Sequence, residues 1–188
     1  MSTTPDIVEQ WQPPTESLGR VPLITPGNSD GKPIQGDFRL DRIVIDKLHL
    51  GTQVYSCNRH GASECTVTAK IETTRADGEL YEGNYNRPCA DGDQGKAMLE
   101  GEYNSMCELY KVASTFFPKR YAYAQFNVSD PKSYFLLCSF LDMDTSQAPD
   151  PEQLCKKLVM LHLSSESPTG QFGFHINTYQ GNLPQQTV

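Results

Sequence analysis

Between Thr66 and Glu72 the side chains change character at every step: Val67, Ala69 and Ile71 are apolar, while Thr66, Thr68, Lys70 and Glu72 are polar. A period of two marks an extended strand with one buried face, because successive side chains point to opposite sides of a sheet. Asp77-Gly78 then supplies a hairpin turn signal, so the chain that follows should return and pair. The preceding stretch, "VYSCNRHGAS", reads as a strand that breaks into a loop of small residues. Three consecutive antiparallel strands are therefore predicted over 54–88. The third is irregular, for "YEGNYNRPC" contains Gly83, Asn84, Asn86 and Pro88, all poor strand residues.

The pattern changes after this strand. In "QGKAMLEGEYNSMCELYKVAS" (94–114), Leu99, Tyr103, Met106, Tyr110 and Ala113 fall on one helical face, with Glu102 on or beside the buried stripe. An unpaired carboxylate there is costly to desolvate, so such a glutamate calls for a nearby cation; the alternative is an edge glutamate in solvent. "RYAYAQF" (120–126) and "SYFLLCSF" (133–140) read as a strand pair, the second apolar enough to be central. A polar connector leads to a helix with a defined start: Asp150 as N-cap, Pro151 at the first helical position and Gln153 three residues after the cap. Leu154, Leu158 and Leu161 form its apolar face, and exposure of such a face would favour self-association. "FRLDRIVIDKLHL" (38–50) reads as a short helix with weak caps, and residues 1–36, rich in Pro, Gly, Thr and Ser, as a disordered leader. The remainder, from 171, reads as loop or short strand.

Charge and cysteine usage exclude several classes. The formal net charge of −7 argues against a nucleic-acid partner and against anionic membrane. No apolar run approaches the roughly 18 residues a membrane span needs. "MSTTPDIVEQWQPPTE" has neither the basic start nor the apolar centre of a secretory signal. Six cysteines without CxxC or a secretory signal fit reduced thiols in a cytoplasmic protein. His49, His60, His162 and His175 lack metal-ligand spacing, so no metal site is expected.

Three strands, a helix, two strands, a connector and a helix follow the order of a protein-kinase-like small lobe, its hinge and the first large-lobe helix. The fold class expected is thus α+β, with a small lobe over 37–138, a hinge over 139–149 and the start of an incomplete large lobe over 150–188. Four blocks sharpen this: "HGASECTVTAKI", "DGDQGKAMLEGEYNSM", "YFLLCSFLDM" and "SPTGQFGFHINTYQGNLPQ". In that order they resemble the fructosamine/ketosamine-3-kinase family, particularly its fungal ribulosamine-kinase-like members, over about 43–188. The resemblance implies ATP-dependent phosphorylation of the sugar 3-hydroxyl of ketosamines on glycated proteins or small amines, with Mg²⁺ bridging phosphates. The phosphorylated adduct then decomposes and frees the amine, a deglycation.

The resemblance also assigns residues. His60, Gly61, Ala62 and Ser63 match the phosphate loop, where small residues let backbone N–H groups approach phosphate oxygens; the alternative is an ordinary hairpin loop. Glu102 matches the glutamate that pairs with a third-strand lysine. Ser139, Phe140, Leu141 and Asp142 match the hinge, although the family usually has an acidic residue where Ser139 stands. His175 lies in the family block "FGFH", with no role that its spacing dictates. Two departures bear on activity. The family's third-strand lysine is replaced by Pro88, leaving Arg87 as the nearest cation, which could meet Glu102 only through a one-residue slip of the strand. The family's HGD-type catalytic loop has no match in these 188 residues, so no catalytic residue is assigned and the chain alone is expected to be inactive. A non-catalytic, pseudokinase-like nucleotide- or partner-binding module is the second reading. An unrelated enzyme acting through Cys57 or Cys65 is the third.

Overall fold

A computed structural model of the chain describes residues 33–61, 66–74, 80–88, 92–127, 131–144, 146–167 and 169–188, with 80–88 described as backbone. In chain order its elements are α1 (Arg42–Asp46), β1 (Gln53–Arg59), β2 (Thr66–Thr74), β3 (Leu80–Pro88), α2 (Gly92–Val112), β4 (Arg120–Gln125), β5 (Tyr134–Ser139), α3 (Pro151–Ser164), β6 (Thr178–Gln180) and β7 (Leu183–Gln185). Five strands form one antiparallel sheet in the order β1-β2-β3-β5-β4, and β6 pairs with β7 in a separate hairpin. The architecture is α+β, as expected. The apolar strand β5 lies between β3 and β4, and Tyr134 to Cys138 are all buried. The irregular third strand pairs along its whole length with β2, but with β5 only from Gly83 to Asn86. Pro88 thus stands at the strand's last residue, beyond the β5 ladder, where a missing N–H costs least.

The two faces of the sheet are covered differently. One face buries Val54, Cys57, Ala69, Ile71, Ala122, Phe135 and Leu137 against Phe38, Leu40 and Val44 from the α1 region. Tyr134 and Leu136 point the other way, where α2 lays Leu99, Tyr103 and Met106 over them. The α2 helix spreads over β3, β5 and β4. Leu99, Tyr103 and Met106 of the predicted stripe take part in this contact, whereas Ala113 falls just beyond the helix; Gly95, Met98, Gly101 and Ser105 are buried as well.

Three local findings differ from the sequence reading. Ile34 packs against the core and Gln35 pairs with β1, its N–H donating to the Tyr55 carbonyl at 2.9 Å, so residues 34–36 belong to the folded body and not to the leader. The rest of the leader, 1–32, lies outside the described residues. The α1 helix is firmly capped: the Asp41 carboxylate accepts the Ile43 N–H at 3.0 Å and, from the chain after β4, the Asn127 N–H at 3.1 Å. Asp41 is itself buried, so this cap joins segments far apart in sequence. Finally, the C-terminal hairpin lies against α2. A β-carbon at Gly101 would stand 2.5 Å from the Asn177 carbonyl oxygen, so only glycine permits this approach.

The α3 helix starts as predicted, with Asp150 accepting the Gln153 N–H at 2.8 Å. None of its residues is buried; Val159, Met160 and Leu163 are well exposed, and Leu154 and Leu161 are only half-buried.

Candidate functional site

The predicted phosphate loop leaves β1 at Arg59. His60 donates its N–H to the Thr68 carbonyl at 3.0 Å, which holds the loop's first residue against β2. Gly61 follows with φ +71°, a conformation side chains disfavour, and nothing lies within 4 Å of where its β-carbon would be. No described residue covers that point. Ala62 and Ser63 lie outside the described residues.

Across β2 and β3 from β1, Ser139 closes β5 and is pinned twice to the chain before β4. Its N–H donates to the Lys119 carbonyl at 2.7 Å, and its Oγ accepts the Lys119 N–H at 2.9 Å. The predicted hinge therefore departs from a fixed point. Phe140 is half-buried, while Leu141 and Asp142 are exposed.

Phe140 joins the two regions. The His60 ring meets it edge-on at 5.0 Å between centroids, and the Lys70 ammonium lies 4.6 Å from its centroid. Lys70 also forms an ion pair with Glu72 at 3.3 Å, and Glu72 accepts the Ser56 hydroxyl at 2.7 Å. The Ser56 hydrogen bond is the main cause holding the Glu72 carboxyl below the usual range, with Lys70 adding to it. Sequence reading passed over Lys70 as one polar member of an alternating strand. Its signal emerges only with the register, in which Lys70 pairs with Asn84 and Asn84 with Cys138, so all three positions share the side of the sheet that α2 partly covers.

Glu102 lies on that side too, half-buried on α2. Burial raises its carboxyl above the ordinary range, and no cation among the described residues opposes the shift. Among the described residues no ion pair reaches Glu102. Its charge adds to the burial that pushes the Cys138 thiol up to about 12, which places the carboxyl in the field of β5. Arg87, the cation expected to compensate, pairs in register with Val67, which packs with the α1-side core; Asn86 pairs with Leu136. The β3 backbone is thus not slipped toward the arrangement that would serve Arg87, whose side chain lies outside the described residues. Pro88 pairs with Thr66, two positions from Lys70's partner Asn84 and two more, on the α2 side.

Cys57, a candidate in the cysteine-enzyme reading, is fully buried and its thiol is pushed up to about 12, chiefly by burial. Such a thiol is no nucleophile at neutral pH. Cys65 lies outside the described residues. His175 is exposed, near enough to α2 to help hold the Glu108 carboxyl down, an effect due mainly to Lys111.

The donor set fits a nucleotide: an open glycine turn for phosphate, an ammonium, and an aromatic ring beside an exposed connector. Among the described residues no three metal-ligating side chains gather. Nor is any helix among them long and apolar enough to cross a membrane. No curated protein and no solved structure matches the chain. A model of the fructosamine kinase family matches residues 78–187, which takes in β3, α2, β4, β5, α3 and the C-terminal hairpin. With more than half of its length matched, and with "GKAMLEGE" and "FGFH" inside the matched span, the chain belongs to the fructosamine kinase family.

Proposed function

We propose that residues 37–138 form the nucleotide-binding small lobe of a ketosamine-kinase-like protein, with 139–149 as its hinge and 150–188 opening a larger lobe. The contact between His60 and Phe140 carries this reading, because it sets the phosphate-loop strand against the hinge, as a nucleotide spanning both would require. ATP would lie with its phosphates under His60–Ser63 and its base against Phe140–Asp142. When bound, ATP supplies the transferable phosphoryl group. The acceptor implied by kinship is the 3-hydroxyl of a ketosamine on a glycated protein or small amine. Glu102, matched to the glutamate of the family's ion pair, would stay without that pairing in this chain.

The proposal includes inactivity of these 188 residues by themselves. Pro88 brings neither charge nor N–H to the third-strand position, and no residue here matches the HGD-type loop that would accept the hydroxyl proton. Two measurements test the reading. Titration with ATP and Mg²⁺ should raise the melting temperature saturably; no shift at millimolar ATP sinks the nucleotide reading. A phosphorylation assay on a fructosamine substrate should give no turnover above background, and steady turnover sinks the claim of inactivity.

A further inference from the structure

Resting on the nucleotide reading, we propose that the cation engaging the bound phosphates is Lys70, presented by β2, and not a residue of β3. Lys70 is on the side of the sheet that faces Glu102 and Phe140, two strand spacings, or about 10 Å, from the Cys138 backbone. Its flexible four-carbon stem covers much of such a gap. The ammonium is already drawn toward the hinge, over the Phe140 ring at 4.6 Å, with His60 on the same ring. The side chain is only 24% exposed, so its charge is partly desolvated and strengthened toward an anion.

The partner that holds it is replaceable. Glu72 is 45% exposed, and ion pairs with one half-exposed member contribute little. A polyphosphate carries several negative charges and would compete with the Glu72 carboxylate for the ammonium. Two other strand cations with described side chains are placed elsewhere. Arg59 pairs with Ala69, on the α1 side. Arg120 begins the edge strand β4, where its guanidinium lies 5.4 Å from the Tyr110 centroid on α2. Among the strand cations with described side chains, Lys70 is the one that reaches the hinge ring shared with His60.

The test uses the whole chain. ATP affinity is measured by calorimetry for the wild type, Lys70→Ala, Lys70→Gln and Arg87→Ala. Either Lys70 variant should weaken binding about ten- to hundredfold, the scale of one charge-assisted hydrogen bond, and Arg87→Ala should change it less than threefold. Binding retained by both Lys70 variants overturns the inference while leaving the nucleotide reading intact; a wild type that does not bind overturns both. A probe independent of variant folding is an ATP analogue acylated at its terminal phosphate. A nearby amine attacks the acyl carbon, forms an amide and releases ATP, so peptide mapping should locate the acyl group on Lys70. ATP-protected labelling of another lysine overturns the inference.

Discussion

Two helices, α2 and α3, have comparable apolar stripes in the sequence and opposite fates in the fold. The α2 helix buries Met98 and Leu99 against the sheet on one side and receives the β6-β7 hairpin at Gly101 on the other. The α3 helix buries nothing, although Leu154, Leu158 and Leu161 are as regularly spaced as any residues of α2. The difference teaches that a helical stripe records an orientation, whereas its energetic value depends on what arrives to cover it.

Substitutions can break this comparison. The largest effect is expected at Leu99, which is 1% exposed: Leu99→Ala should destabilise by about 2–5 kcal/mol, read from the denaturation midpoint at unchanged slope. A loss below ~1 kcal/mol would mean that α2 is no better anchored than α3. Next comes Gly101→Ala, where the added methyl meets the Asn177 carbonyl. The strain of about 1–3 kcal/mol should exceed the ~1 kcal/mol gained in helix propensity, and faster amide exchange at 177–180 should accompany it.

A smaller, pH-dependent effect is expected at Glu102. Its folded carboxyl titrates above its ordinary value of 4.5, so the folded state holds this proton more tightly than the unfolded state does. The contribution is fully present below about 4.5 and is lost as pH rises through the raised folded value. Glu102→Gln should thus stabilise at pH 7, and that advantage should shrink as pH falls toward 4.5. Melting curves across this range check the sign; a constant difference, or a growing one on acidification, would show that an ionised Glu102 has a partner. The smallest effect is expected at Leu163 of α3, which is 77% exposed: Leu163→Ala should shift stability by less than ~0.5 kcal/mol. A core-sized loss there would put α3 on the same footing as α2.

What was legible in the sequence follows the range of the forces involved. The β2 alternation, the α2 stripe and the Asp150 cap depend on neighbours a few residues away, and each is found where the pattern put it. Asp41 was passed over as a cap because its second hydrogen bond comes from Asn127. Gly101 carries no local sign that Asn177 will approach it, and Lys70 none that Phe140 lies below it. Of the candidate site, His60 and Phe140 are brought into contact, and Ser139 is fixed at the connector's origin. Glu102 is half-buried on α2, beside the stripe as its spacing implied, yet without a described cation, because its expected partner depends on which way a strand residue faces, which register decides and composition does not.

The Asp41 cap has a kinetic consequence. A five-residue helix is far below the length that sustains itself in water. Its cap is complete only once the chain has closed the loop that brings residue 127 to residue 41. Full consolidation of α1 is therefore expected to be late, because a contact of such long sequence separation costs loop-closure entropy before it forms.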